Sequence, residues 1–175
     1  NLLQNGADKI VVNTLLSESP EMVKDISVRF GQQSIIGAVD VKKLNGEYSV
    51  WTDNGAALKD VELSDWLGSL QKFPIGEIYL NSIDRDGTGQ CFCIDLLSKL
   101  PNKTLIPIIL AGGAGTPLHL GDGLKDPRVD AVATANLFNF IGNGLEKARI
   151  ELNENDFKLA KWDVDLANSL KNVLS

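Results

Sequence analysis

Basic residues, cysteine, histidine and long apolar runs are all scarce in this chain of 175 residues, and each scarcity removes a class of function. Lys and Arg number 17 against 23 Asp and Glu, for a net charge of −6. A chain with that balance has no basic stripe to displace counterions from a phosphate backbone, so nucleic acid is not its main ligand and any phosphate it binds is a small one. No apolar stretch approaches the roughly 20 residues of a membrane span, and no charged-apolar-small pattern opens the chain, so the expectation is a cytoplasmic protein without membrane contact. There are 2 cysteines and 1 histidine. Cys91 and Cys93 stand too close along the chain for an ordinary disulfide, and only His119 is left to complete a metal site. The two are read as free structural thiols, and no metal or other cofactor is expected. An initiating Met is missing as well. The first residues, NLLQNGADKIVVNT, read as a helix end with Gly6 as its stop, running at once into a strand, so the chain is expected to begin mid-fold.

What is present is an ordinary globular composition, 43% hydrophobic and 23% charged, enough for one domain with its own core. Ile10 to Asn13 is a short apolar strand. A helix follows from Ser19 to Phe30, with Ser19 as cap, Pro20 at its first position, Glu21 in its first turn and Gly31 at its end. Ser34 to Asp40 is apolar on both faces, as buried parallel strands are. Asn45-Gly46 between VKKL and EYSVW predicts a β-ribbon projecting from that strand's end. Asp60 to Phe73 carries Leu63, Trp66, Leu67 and Leu70 at helical spacing, and Ile78 to Ser82 is the next strand. Further along, Cys93 to Leu100 reads as helix, Leu105 to Leu110 as strand, Pro117 to Leu124 as helix, Ala131 to Ala135 as strand, and helix again from about Ile141. Five β/α units with no linker between them predict a single α/β domain of (β/α) barrel type over 1–175. The stripe of Phe157, Trp162, Leu166, Leu170 and Val173 predicts a C-terminal helical extension over about 154–175 that packs on the core. Five units do not close a barrel of eight. Either three units precede these or two copies associate, because an open parallel sheet exposes its edges.

In such a barrel the chemistry sits just past the C-terminal ends of the strands. Asp40 ends an apolar strand, where a half-buried carboxylate serves as general acid or base, with Lys42 near enough to oppose a raised pKa; capping of the next turn is the competing reading. The run GEIYLNSIDRDGTG is the densest stretch in the chain. There Asp84, Asp86, Gly87 and Thr88 suit a hydroxylated, phosphorylated substrate, with Arg85 paired to a neighbouring carboxylate, against a plain solvated acidic turn. Gly112-Gly113 after IPIILA and Ala135-Asn136 after AVATA stand at consecutive strand ends, where barrels bind phosphate through backbone N–H groups. Asp8, Lys9 and Glu77 come at strand starts, on the opposite face, where charges belong to structural ion pairs or to a partner surface. His119 reads as a surface residue.

GADKIVVNT, AVDVKK, GEIYLNSIDRDGTG, PIILAGGAG and ATANLF, in that order and spacing, resemble the cyclase subunit family of imidazole glycerol phosphate synthase, a (β/α)8 barrel of histidine biosynthesis. The match runs from about Gly6 to Phe140. The resemblance implies an enzyme that takes ammonia from a glutaminase partner and uses it to cleave and cyclise a bis-phosphorylated ribulosyl intermediate. The products are imidazole glycerol phosphate and an aminoimidazole carboxamide ribotide. It implies that Asp40 is one of two catalytic carboxylates. Asp86 and Gly87, with Gly112, Gly113, Ala135 and Asn136, match one phosphate site, and Asn13 and Thr14 match part of the other. Lys9 and Glu77 match two members of a charged ring that gates ammonia at the barrel floor, and Asp8 matches a partner-facing position. The family's other catalytic carboxylate is on its first strand and its other diglycine loop on its third, so this chain corresponds to roughly strands four to eight. Gln90-Cys91-Phe92-Cys93 departs from the Gly-aromatic-Asp usual after the DGT loop. Asn81 and NLFNFIGNGLEKAR resemble a side branch that installs an amidino group on a surface sugar with the same ammonia relay. A half-barrel that binds phosphate or a glutaminase-like partner without catalysis is the alternative from another class.

Overall fold

The computed structural model describes residues 2–135 and 144–160. Five parallel strands form its frame: β1 (Ile10–Val12), β2 (Ile35–Leu44), a pair of antiparallel strands β3 (Glu47–Thr52) and β4 (Ala57–Glu62) attached to β2, then β5 (Glu77–Ser82), β6 (Ile108–Ala111) and β7 (Ala131–Ala133). The parallel order is β1-β2-β5-β6-β7, each strand beside its successor in the frame. Between them run α1 (Thr14–Glu18), α2 (Pro20–Phe30), α3 (Leu63–Leu70), a 3-10 segment (Ile94–Lys99) and α4 (Pro117–Leu124), and α5 (Gly144–Glu154) follows β7. This is the α/β arrangement of a (β/α) barrel, opened and incomplete.

The central strands β2, β5 and β6 carry the buried apolar side chains, while none on β1 or β7 is fully buried. On β5 the burial alternates: Ile78, Leu80 and Ser82 are buried under the helices, and Glu77, Tyr79 and Asn81 lie half-buried on the inner face. Val39 and Val41 of β2 and Ile108 and Leu110 of β6 join Ile78 and Leu80 in a core closed by Leu67 and Leu70 of α3 and by Leu96 and Leu97. Leu67 is fully buried. Truncation Leu67→Ala is therefore expected to cost about 3 kcal/mol, the transfer term plus an unfilled cavity, read as a lower urea midpoint at unchanged slope.

The sheet departs from the sequence expectation around β2. That strand runs on to Leu44 instead of stopping at Asp40, since β5 takes one edge over 36–41 and the other edge is shared, β1 pairing at 35–37 and β3 at 40–44. Asn45 and Gly46 both take positive φ (52° and 90°), as the predicted tight turn requires. A second turn follows at Asp53-Asn54-Gly55, all with positive φ, and it sends the chain back as β4. The Asp-Asn-Gly signal is plain in the sequence, but the helical spacing downstream masked it. Residues 60–62 are consequently strand, and α3 starts at Leu63.

Smaller differences have local causes. Ser19 stands at the N-cap of α2, yet its side chain makes no capping bond; its carbonyl accepts the Met22 N–H at 3.0 Å instead. α1 escaped the sequence reading because 5 residues carry too little periodicity. Cys93 to Leu100 is a 3-10 segment, Ile94–Lys99, rather than an α-helix. β6 begins at Ile108, after Pro107, while the N–H groups of Leu105 and Ile106 are both taken by the Gln71 side chain. α5 ends in a turn at Asn155 and Asp156, and 157–160 is irregular chain in which Phe157 and Leu159 pack on the core. The rest of the predicted stripe, Trp162, Leu166, Leu170 and Val173, lies outside the described residues, as do residues 141–143.

Candidate active site at the strand ends

The ends of β1 and β5 meet at Asp40, which lies within β2 and not at its end. Asp40 faces inward from β2, paired in register with Asn81 on β5, and β1 ends beside it at Asn13. The Asn13 Nδ2 donates to Asp40 Oδ2 at 2.7 Å, and the Asn81 Nδ2 donates to Asp40 Oδ1 at 3.0 Å. Each carboxylate oxygen thus has one amide donor and, among the described residues, no other side-chain partner. Asp40 lines a cavity of about 510 Å³ with Val11, Asn13, Thr14, Ala38, Asn54 and Tyr79.

The second ribbon turn is tied to this end of the sheet. The Asp53 N–H donates to Thr14 Oγ1 at 3.0 Å, and the Asn13 amide also reaches the Trp51 carbonyl at 3.3 Å. Lys42 follows Asp40 by two residues on the same face; its Nζ donates to the Gly55 carbonyl at 3.2 Å and lies 4.4 Å over the Trp51 ring, a cation-π contact. The Lys43 N–H donates to Asp84 Oδ2 at 2.5 Å, which fastens the ribbon to the loop after β5.

That loop is held from within. The expected pairing of Arg85 with a carboxylate gives way to donation from Nη1 to the Gln90 carbonyl at 2.8 Å. Thr88 Oγ1 donates to the Arg85 carbonyl at 2.7 Å. Asp86 and Gly87 are exposed at the tip, Gly87 with φ of 75°. The loop rests on the diglycine after β6. A Cβ on Gly112 would meet the Ser82 carbonyl oxygen at 2.4 Å, and one on Gly113 would meet the Cys91 carbonyl oxygen at 2.2 Å. Glycine is required twice over, because both residues also hold positive φ (88° and 107°). Beyond them, Thr134 Oγ1 donates to the Ala114 carbonyl at 3.0 Å and brings the end of β7 alongside. Ala135 follows, exposed; Asn136 lies outside the described residues.

His119 is more engaged than a surface residue. Its Nδ1 accepts the Gly115 N–H at 3.1 Å, so the proton of the neutral ring sits on Nε2, and its own N–H is capped by Thr116 Oγ1. Cys91 and Cys93 are free, and Cys93 Sγ lies 3.3 Å from the Tyr48 hydroxyl.

At the other end of the sheet Lys9 and Glu77 form an ion pair, Nζ to Oε1 2.5 Å, reaching across β2 from β1 to β5. Asp8 is exposed beside it. Tyr79, between Glu77 and Asn81 on β5, was not singled out in the sequence. Strand alternation in EIYLNS was the available signal, for it places Tyr79 on the face of Glu77 and Asn81. Burial, and then the carboxylates of Asp86 and Asp40, push its phenol above the ordinary tyrosine value. The sign follows directly: the folded state prefers the protonated phenol, a contribution complete below pH ~10 and lost as pH rises through the raised value. No helix among the described residues is long and apolar enough to cross a membrane.

Residues 1–142 match the family described as histidine biosynthesis protein. The chain is 40% identical over 162 residues to a protein of Parasynechococcus marenigrum (strain WH8102) named, provisionally, imidazole glycerol phosphate synthase subunit hisF2; the match covers 92% of this chain and 60% of that one. It is 38% identical over 145 residues to imidazole glycerol phosphate synthase subunit HisF of Chlorobaculum parvum, covering 83% of this chain and 58% of the relative. With the same subunit of Flavobacterium psychrophilum it shares 35% identity, covering 90% and 63%. The chain thus spans about three fifths of the length of these relatives.

Proposed function

The chain belongs to the histidine biosynthesis protein family, and from that premise we propose that it is the part corresponding to roughly strands four to eight of an ammonia-using cyclase of imidazole glycerol phosphate synthase type. Its substrate is a bis-phosphorylated ribulosyl intermediate, and its ammonia comes from a glutaminase partner. The observation that carries this reading is Asp40, held through both carboxylate oxygens by Asn13 and Asn81 at the wall of a cavity. A carboxylate fixed in that way handles protons at one chosen point, which is what amine addition and ring closure demand of the enzyme.

The remaining assignments follow the strand ends. The backbone at Gly112 and Gly113, with Asp86, Gly87, Ala135 and Asn136, holds one phosphate through main-chain N–H groups at the strand ends. Asn13 and Thr14 border the second phosphate. The family's other catalytic carboxylate is on its first strand, so Asp40 supplies one half of an acid-base pair. The test is direct. The full gene product, given ammonium chloride and the ribulosyl intermediate, is expected to release imidazole glycerol phosphate, identified by mass spectrometry; a folded protein that binds the intermediate but releases nothing would reject the reading.

Lys9 and Glu77 serve as the ammonia gate, with Asp8 facing the glutaminase. Their ion pair is partly exposed, with side-chain exposures of 43% and 25%, so its contribution to stability is small. Lys9→Met and Glu77→Gln are expected to reduce glutamine-driven turnover about 10-fold or more and ammonia-driven turnover by no more than about twofold. Equal losses in both assays would remove the pair from the gate.

A further inference from the structure

The inner face of β5 carries Glu77, Tyr79 and Asn81 in succession. Two of the three have partners: Glu77 is paired with Lys9, and Asn81 holds Asp40. Among the described residues no group hydrogen-bonds the Tyr79 hydroxyl. Its register neighbours are Ala38 on β2 and Ile109 on β6, neither of which can offer one. The side chain is only half-buried, and it lines the same cavity as Asp40. With a rise of about 3.3 Å per residue, Tyr79 stands one inner-face step, about 7 Å, above Glu77 and the same distance below the Asn81 level. A phenol whose hydroxyl has no hydrogen-bond partner among the described residues, set in the same cavity wall as a clamped carboxylate, is placed to contact a ligand.

We propose that the Tyr79 hydroxyl is a further ligand-contacting group of this site, holding the ammonia molecule in the cavity it shares with Asp40 after it passes the Lys9–Glu77 pair. This rests on the reading that ammonia is the nucleophile. The chemistry of the group suits the task. A hydroxyl both donates and accepts, so it binds an uncharged nitrogen without altering its protonation. A carboxylate in the same place would favour ammonium, which has no lone pair with which to attack, and a lysine would repel it. Burial and the neighbouring carboxylates of Asp86 and Asp40 keep the phenol in its protonated form, consistent with that role. Asp40, in the same cavity wall, is then left to take the proton released as the nitrogen adds.

The test uses the full gene product with an ammonium salt in place of glutamine, comparing Tyr79→Phe and Tyr79→Leu with the unaltered protein. Tyr79→Phe keeps the ring and removes one hydrogen-bonding group. It is expected to raise the apparent KM for ammonia about 10-fold, while kcat at saturating ammonia and KM for the phosphorylated substrate stay within about twofold. An unchanged ammonia KM in Tyr79→Phe, with a defect in Tyr79→Leu alone, would reduce Tyr79 to a space-filling ring and overturn the inference. A rise confined to the KM of the phosphorylated substrate would overturn it as well, since the hydroxyl would then touch that substrate. If the unaltered, folded protein does not use ammonia, the parent reading fails and this one with it. An active protein indifferent to Tyr79→Phe removes this inference alone.

Discussion

Asp40→Asn in the full gene product is expected to lower ammonia-dependent turnover by about 10³-fold or more, while the affinity for the phosphorylated substrate changes by no more than about threefold. The substitution is isosteric, so the loss is chemical. It replaces a carboxylate that accepts through both oxygens with an amide that accepts through one. Asn13 and Asn81 both donate to this side chain, at 2.7 and 3.0 Å. In the variant one of those NH2 groups must face another NH2, whichever way the new amide is turned. Unless it finds another acceptor, that donor-donor contact adds a stability penalty of about 1–2 kcal/mol, the usual consequence of an unsatisfied half-buried group. Turnover and urea denaturation measured on the same preparation separate the two effects. A variant that turns over at the unaltered rate would take Asp40 out of the mechanism.

The second large effect concerns the diglycine. Gly113→Ala places a methyl 2.2 Å from the Cys91 carbonyl oxygen at a residue with φ of 107°. The backbone conformation alone costs about 1–3 kcal/mol in a residue with a side chain, and the overlap is with main chain, which cannot rotate away. The loop after β6 or the loop after β5 must move. Since both contribute to the proposed phosphate site, the variant is expected to lose about 100-fold in affinity for the phosphorylated substrate and at least about 3 kcal/mol in stability. Gly46→Ala is the control. Gly46, in the ribbon turn and outside the proposed site, has positive φ too (90°), yet nothing lies within 4 Å of its missing Cβ, so only the conformational cost of about 1 kcal/mol is expected. Calorimetric titration with the substrate reads the first effect and urea denaturation the second. Unimpaired binding in Gly113→Ala would place the phosphate elsewhere.

Much of the local geometry around these residues is legible in the sequence. The alternation along EIYLNSID and the apolar run before Asp40 mark strands, and a strand end in a barrel is where chemistry is placed. Asn45-Gly46 announced its turn, because two consecutive positive φ values are tolerated by few residue pairs. Gly112-Gly113 announced a conformation that only glycine adopts without strain. Asp-Asn-Gly at 53–55 is an equally plain turn signal, set just before a stretch with helical spacing. There a local pattern of Leu and Trp competed with a turn signal, and the edge of β3 decided for strand by offering hydrogen bonds to 57–62.

The partners were not legible. Asp40 meets Asn13 and Asn81, which lie 27 and 41 residues away in the chain. Lys42 turns to the Gly55 carbonyl and the Trp51 ring, Arg85 to the Gln90 carbonyl, and His119 to the Gly115 N–H. By itself the sequence determined which residues stand at strand ends, which glycines must bend the backbone and which face of β5 points inward, because period and φ preference are properties of a residue and its immediate neighbours. Which donor reaches which carboxylate, and where the Lys42 charge is held, was decided only by the tertiary structure. Strand register and the folding back of the β-ribbon set those distances, and no local pattern encodes them.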